Sequence, residues 1–401
     1  MISHNSSINS PAPRSIPAPE GAIASSPLAF SGTGSEYFRI WIVNLLLIMV
    51  TFGIYYPWAK VRKIKYFYNN TRMDGHALDF HAEPKKMLRG TAIVGVFFLL
   101  YSYAVDLSPA AGLMAVLAFM AIAPPLFRAS MRFRLANTSW RGMRFRFVAP
   151  DLKEAYACIV PALALFLLPG VLLALVDDAG AQKAAAFPVP GSVVGLYGLV
   201  VAVAIPYFFW RIKRYQHNHY AWGPLKSEYR SEVGATYKVF GMTLLMVALI
   251  VGLFVAVAFM IVPSAFGGMR GLSRNMGVLL GLLAPLLAVF LILLNILPRA
   301  YFTASMQNLL WSRTGNQHFR FKSNLAIGRF IGLQIKNYLL IAITLGLYWP
   351  FAVVATKRMQ LEAVSLKTRI SLDDLTSDAR ARENDAAGDM AADIFGFDVG
   401  I

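Results

Sequence analysis

One cysteine, Cys158, is all the sequence holds, so a single chain can build neither a disulfide framework nor a thiolate metal site. It lies at the start of an apolar run and reads as a small core residue. Charge is scarce as well. Only 15% of the 401 residues are Asp, Glu, Lys or Arg, and acids are the rarer sign, 21 against 38 basic residues. Six long stretches contain no ionisable side chain, which weighs against a proton-coupled pump, because proton relays need such a group at membrane depth. The first 29 residues, rich in Ser, Pro and Ala, lack a basic segment followed by an apolar one. They are expected to form a disordered tail (1–29), not a signal peptide.

What is abundant is apolar residues, 57% of the chain, gathered in blocks near the length of a membrane span. The six runs are Thr91–Val105, Pro109–Phe127, Ala155–Val176, Gly191–Trp210, Val239–Val262 and Met276–Leu297. The first is shortest and must borrow Met87 and Leu88, with Arg89 snorkelling to the surface. Of the 38 basic residues only Lys183, Arg270 and Arg274 fall in the connections between paired runs, which predicts that the opposite face is cytoplasmic. The repeat-bearing region is expected to cover 30–368, followed by an acidic tail, 369–401, with eight acids after Ser371 against Arg380 and Arg382. That tail is a candidate handle for a protein partner.

The chain also repeats itself. TFGIYYP (51–57) returns as TLGLYWP (344–350), and Asn44, Thr51, Gly53, Tyr55 and Pro57 match Asn337, Thr344, Gly346, Tyr348 and Pro350 at one offset of 293 residues. Two readings follow. Each terminal apolar segment either crosses the membrane or breaks at the Gly and Pro into a hairpin that dips in and returns, with the asparagines satisfying backbone groups freed at the break or bonding helix to helix. The hairpin keeps Lys357, Arg358, Lys367 and Arg369 on the cytoplasmic side, and both tails with them.

A second repeat joins NTRMDGHALDF (from Asn70) to NTSWRGMRFRF (from Asn137), with Gly75 and Gly142 in tight turns; weaker copies start at Asn218 and Ser312. Asn-Thr suits a helix end, Gly a turn, and F-x-F alternation a short strand. In MRFRF the phenylalanines are expected to face protein and the arginines water or lipid phosphate.

Catalytic constellations are thin. His76 and His81 share the first hairpin, and His217 and His219 flank Asn218, but no acid or cysteine cluster completes a metal site. Asp74 and Asp79 lack an obvious nucleophile, and pairing with Arg72 is the simpler reading. No cofactor, no metal, no nucleic acid and no enzymatic activity are expected. The basic residues sit beside apolar runs and among aromatics, so anionic lipid is the expected partner. The collar expected to hold it is Lys60, Arg62, Lys63, Lys65, Arg132, Arg134, Trp140, Arg141, Arg144 and Arg146.

The stretch EYFRIWIVNLLLIMVTFGIYYPWAKVRKIKYFYNNTRMDGHALDFHA, together with RASMRFRLANTSWRGMRFRF and, more weakly, LGLYWPFAVVATKRMQLE, resembles the YjgN family of bacterial inner-membrane proteins. The likeness runs over about Phe30 to Leu366. It implies a polytopic inner-membrane protein and carries no reaction or catalytic residue with it. The fold class expected is an all-α membrane protein of tandem helical repeats with short cytoplasmic β-hairpins, six spans and two terminal hairpins or spans. A transport-like or lipid-handling role is expected, with a non-enzymatic scaffold as the alternative.

Overall fold

The structure, a computed structural model, describes residues 24–149, 151–179, 191–266, 276–369, 371, 373, 376 and 377. Strand β1 (Ala24–Phe30) is followed by helices α1 (Gly34–Val50) and α2 (Tyr56–Asn69), then by strands β2 (Thr71–Met73) and β3 (His76–Phe80). The pattern recurs as α3 (Pro84–Leu107), α4 (Pro109–Ala136), β4 (Thr138–Trp140) and β5 (Met143–Phe147). Next come α5 (Leu152–Ala179), α6 (Gly191–Asn218), β6 (Tyr220–Trp222), β7 (Leu225–Lys226) and β8 (Glu228–Tyr229). After α7 (Val233–Phe266) and α8 (Met276–Ser312) follow β9 (Thr314–Gly315) and β10 (Phe319–Ser323), then α9 (Ile327–Ile343), α10 (Trp349–Glu362) and β11 (Val364–Thr368).

All these strands join one antiparallel sheet in the order β7-β6-β5-β4-β3-β2-β1-β11-β10-β9-β8. Its two edges, β7 and β8, are consecutive in the chain and separated only by Ser227, so the sheet is a nearly closed barrel. The unit is therefore a helical hairpin followed by a β-hairpin, repeated five times. The fifth β-hairpin is made by the two ends of the described chain, β11 pairing with β1 from Ala24↔Thr368 to Pro27↔Ser365.

The backbone confirms five equivalent joints. In each, the residue after a strand donates its N–H to a carbonyl at the end of the next returning helix: Ser31 to Asn70 (3.0 Å), His81 to Asn137 (2.8 Å), Val148 to His219, Arg230 to Arg313 and Asn324 to Ala363 (2.9 Å each). The Asn-Thr signature caps the helix end by back-bonding. Asn70 and Asn137 Nδ2 each donate at 2.8 Å to the carbonyl four residues earlier. The hydroxyls of Thr71, Thr138 and Thr314 do the same.

Because every strand is antiparallel to its neighbours, the β-hairpin tips lie at one rim of the barrel and all the helical hairpins spring from the other. At the tips Asp74 and Gly75 (φ 51° and 74°) and Arg141 and Gly142 (φ 52° and 83°) are left-handed pairs, the geometry that matches the twist of a two-residue hairpin. Inside the barrel Met73, Trp140, Met143, Trp222 and Leu366 form an apolar plug, with the Trp140 and Trp222 rings 4.8 Å apart. The barrel is a packed core and not a channel. Around the opposite rim each helix packs on the helices before and after it in the chain, and α10 closes on α1. The ten helices thus form a ring above the barrel.

Two expectations of the fold class are corrected. The protein is not all-α, because the strands, two to seven residues long, close an eleven-stranded sheet. Runs that short hardly register as period-2 alternation, and their partners are supplied by distant repeats. Nor do the described residues show six spans. Among the described residues five helices are long and apolar enough to cross a membrane: Pro109–Ala136, Leu152–Gly170, Gly191–Asn218, Val233–Met260 and Ala284–Ser312. The expected first span forms α3, which is not among them; within its described residues the apolar stretch is Gly95–Ala104. The Arg89 side chain lies outside the described set. Residues 24–29, expected within the amino-terminal tail, form most of β1.

Candidate functional site

Each terminal repeat segment is a helical hairpin, α1–α2 at one end and α9–α10 at the other, and the T-x-G-x-Y-x-P motif is its tip. Thr51 Oγ1 donates to the Leu47 carbonyl (2.7 Å) and accepts from Tyr55 N–H (3.0 Å); Thr344 does the same with Leu340 (2.7 Å) and Tyr348 (2.9 Å). Gly53 and Gly346, at φ 91° and 94°, return an N–H to Ile48 and Ile341 at 2.8 Å. Pro57 and Pro350 open the following helices, both buried.

The asparagines bond helix to helix and not to the tip of the break. Buried Asn44 accepts from Arg62 Nη1 (3.3 Å), and buried Asn337 donates to Thr356 Oγ1 (3.2 Å) and the Ala352 carbonyl (3.4 Å). Each ties one arm of its hairpin to the other, while the threonines satisfy the break. The tips themselves are apolar and bare: Phe52 is 96% and Leu345 94% exposed.

A feature that sequence reading missed is the prolines. Every returning helix carries a buried one: Pro57, Pro124, Pro206, Pro298 and Pro350. In α2 and α10 the proline starts the helix, whereas α4, α6 and α8 run through it toward the membrane. The terminal hairpins are thus short versions of the same repeat. Their helices have 17 and 14 residues against 24 to 37 in α3 to α8, and they stand side by side where α10 packs on α1. The ring of helices therefore has one low wall.

The expected basic collar divides into two groups. Lys60, Arg62, Lys63 and Lys65 lie along α2, and Arg132 and Arg134 near the end of α4, above the barrel rim. Trp140, Arg141, Arg144 and Arg146 belong to the barrel. Trp140 is buried in its plug and donates Nε1–H to the Met73 carbonyl (3.2 Å), so it is not an interfacial aromatic. Arg141 sits at a hairpin tip, its guanidinium over the Trp140 ring and paired with Asp74 and Asp373. Arg144 and Arg146 point outward from β5, as the alternation requires, and Arg146 donates to the Gly223 carbonyl (2.9 Å).

Within the ring the helix-borne cations meet others. Lys357 on α10 is held below the usual lysine range by burial first, then by the charges of Lys63 on α2 and Arg134 on α4. Lys213 Nζ on α6 donates to Gln216 Oε1 at 3.0 Å. Burial pushes the Tyr220 hydroxyl up, with Arg134 opposing and Tyr68 adding to the rise. Helices α2, α4, α6 and α10 are each separated by another helix around the ring. Lys63, Arg134 and Lys357 are exposed to water and Lys213 is half-buried. Among the described residues no carboxylate forms an ion pair with any of the four. At the equivalent place α8 offers Gln307 and Asn308, both engaged in hydrogen bonds to Gln360, Ser323 and Leu325.

A second concavity, of about 660 Å³, lies on the barrel wall between His76, Asp79, His81, Ser139, Arg141, Arg144, Asp373 and Thr376. There His81 Nε2 is 2.8 Å from Ser139 Oγ, but its Nδ1 stands 3.6 Å from Asp79 Oδ2, beyond hydrogen-bond length, and Asp79 Oδ1 accepts from Phe80 N–H. The row lacks the bond that orients the imidazole in a serine relay. Among the described residues no group of three His, Cys, Asp or Glu is placed to hold a metal ion.

The chain is similar to proteins named inner membrane protein YjgN. The protein from Escherichia coli O157:H7 is 30% identical over 128 residues, 31% of this chain and 32% of that protein. The one from Salmonella typhimurium is 24% identical over 374 residues, 89% of this chain and 92% of that protein. The Escherichia coli match thus covers about a third of its relative's length. No solved structure matches the chain. A family model described as bacterial protein of unknown function (DUF898) matches residues 25–394, nearly the whole chain. With long apolar helices, a matching family model and relatives so named, the chain is a multi-pass inner-membrane protein that belongs to the DUF898 family.

Proposed function

We propose that this protein handles anionic membrane lipid, in a transport-like role, with its barrel and both tails in the cytoplasm. The observation that carries this reading is the low wall. A ring of long helices with lipid-facing apolar surfaces is interrupted by two hairpins of about 21 to 26 Å, too short to match their neighbours. The bare Phe52 and Leu345 at their tips need a hydrocarbon environment. A lipid can pass over such a wall with its acyl chains in the bilayer and its head group turned to the ring interior. The plugged barrel argues against a solute path straight through.

The cytoplasmic orientation rests on charge. The connections at the far ends of the long hairpins hold few basic residues, and the barrel side holds most of them. The scaffold alternative loses part of its motive, because Asp373, the first acid of the tail, is paired to the protein's own Arg141.

The test is lipid retention. Protein extracted in mild detergent is expected to carry phosphatidylglycerol or cardiolipin in native mass spectrometry, and stripped protein to regain it from phosphatidylglycerol vesicles but not from phosphatidylcholine. Protein that neither carries nor regains anionic lipid would overturn the reading.

A further inference from the structure

We infer that the cavity on the barrel wall binds a small soluble phosphate monoester with a hydroxylated body, a sugar phosphate in class, and that Asp373 of the carboxy-terminal segment holds the place of its phosphate. The inference goes beyond the lipid-handling reading and does not depend on it, because this cavity lies on the barrel and not in the ring of helices.

Three neighbouring strands build the site. Trp140 points into the plug, so Ser139 beside it faces outward, and the register places Asp79 on β3 and Arg144 on β5 on either side of it. Two strand spacings separate Asp79 from Arg144, about 10 Å between Cα atoms. The cavity therefore has a carboxylate flank and a guanidinium flank with a hydroxyl between them. Ser139 is only 6% exposed, and its Oγ lies 2.8 Å from His81 Nε2.

Arg141 shows what the guanidinium end takes. Its side chain is 7% exposed, stands 5.2 Å from the centroid of the Trp140 ring and holds two carboxylates. Asp74 is local, from the adjacent hairpin tip. Asp373 comes from 232 residues away, and its own side chain is 83% exposed, so water replaces this partner readily. Thr376, whose Oγ1 donates to the Asp373 carbonyl at 2.8 Å, also lines the cavity, which seats the segment there. When Asp373 leaves, Asp74 and the Trp140 ring still aim the Arg141 fork, so the anion position is organised in advance. A phosphate in that position offers three terminal oxygens to Arg141 and Arg144, where a carboxylate offers two.

The rest of the lining selects the body of the ligand. At about 660 Å³ the cavity is larger than a bare anion needs and falls in the range of small-molecule sites, about 300–1,000 Å³. Apart from Ala77 and Gly142, the described residues around it carry hydrogen-bonding side chains, which suit hydroxyls and not an acyl chain. A carboxylate only accepts, so Asp79 repels a second anionic group and fits a hydroxyl donor, whereas Ser139 and His81 can exchange bonds with hydroxyls in either direction. The anion end is at the hairpin tips, on the rim away from the helices, so the ligand arrives from water and not from the bilayer.

The experiment titrates glucose 6-phosphate into full-length protein in phosphatidylcholine nanodiscs and reads binding by isothermal titration calorimetry, with inorganic phosphate and glucose as separate probes. The parent is expected to bind glucose 6-phosphate saturably and more tightly than either. Asp373→Asn is expected to tighten that binding by about fivefold, the upper worth of an exposed ion pair. Arg144→Gln is expected to weaken it by about tenfold, the lower worth of a hydrogen bond to a charged group. Arg146→Gln, on the same strand but not among the residues lining the cavity, is expected to bind as the parent does. The Asp373 and Arg144 side chains are exposed, so both variants are expected to fold, which elution profile and helicity check. Absence of glucose 6-phosphate binding at millimolar concentration, in the parent and in Asp373→Asn alike, would overturn the site. Equal affinity for inorganic phosphate would overturn the hydroxylated body, and an Asp373→Asn variant no tighter than the parent would overturn the place-holding role of Asp373.

Discussion

At the scale of single residues, the terminal motif concentrates cost in four left-handed positions. Phe52 and Leu345, both at φ 49°, occupy a region that costs a side chain about 1–2 kcal/mol, and Gly53 and Gly346 lie beyond what a side chain adopts readily. Replacing either glycine by Ala meets no neighbouring atom, so the penalty is conformational alone. Gly53→Ala and Gly346→Ala are expected to lower stability by about 1–2 kcal/mol in thermal unfolding in detergent; no change in either would show the turn to be wrongly placed.

Gly315 is the opposite case, absent from the positive-φ residues but so close to its neighbours that a Cβ would sit 2.6 Å from the Phe319 carbonyl oxygen. Space, not φ, demands glycine there.

Glu36 adds a pH dependence. It closes a capping box with Thr33, and the bonds from Thr33 hold its carboxyl below the usual range. A carboxyl with a lowered folded-state value stabilises the helix start above its unfolded pKa, near 4.5, and loses that contribution as pH falls through the folded value. Amide exchange of residues 34–39, corrected for intrinsic rate, is expected to quicken below pH 4 in the parent and to be quick at pH 7 in Glu36→Ala.

At the scale of elements, the helical hairpin depends on whether the freed backbone groups at its tip find partners. Thr51 and Thr344 each serve one donor and one acceptor. Thr344→Val keeps the shape and removes both bonds, leaving the Tyr348 N–H without its partner. A loss of about 1–2 kcal/mol is expected, read as a lower melting temperature, with Thr344→Ser recovering most of it. The five prolines explain why the hairpins differ in length. Where the chain before the proline continues as helix the hairpin is long, and where a T-x-G-x-Y tip precedes it the hairpin is short.

At the scale of the whole molecule, closure is achieved by the ends of the described chain. Pairing of β1 with β11 completes both the sheet and the fifth repeat. Ser25 and Lys367 are partners across that joint, so Ser25→Cys with Lys367→Cys is expected to form an intramolecular crosslink on mild oxidation, while Cys158, buried, does not interfere. Failure to crosslink, with each single variant folded, would open the ring.

The same closure constrains topology. Each helical hairpin leaves and rejoins one barrel rim, so reporters fused before Ser25 and at Ile401 are expected to report the same compartment, the cytoplasm. Opposite compartments would contradict the barrel itself.

Much of this protein was already decided in its sequence. Apolar blocks of near-span length specify the membrane, because no other solvent accommodates them, and the 293-residue offset between Thr51 and Thr344 marks the terminal hairpins, because a Gly-Pro break has local chemistry. The Asn-Thr helix ends and the Gly75 and Gly142 turns are legible for the same reason: each is settled by contacts within a few residues. What only the tertiary structure decided is everything that depends on closure. Short strands such as Thr71–Met73 or Thr314–Gly315 carry too few residues for a pattern and become a barrel only through partners in other repeats. Trp140 looked interfacial until the barrel folded around it, and the low wall exists only once ten helices close into a ring. Local bonding is written in neighbouring residues, whereas the meeting of distant repeats is set by the geometry that brings the two ends of the sheet together.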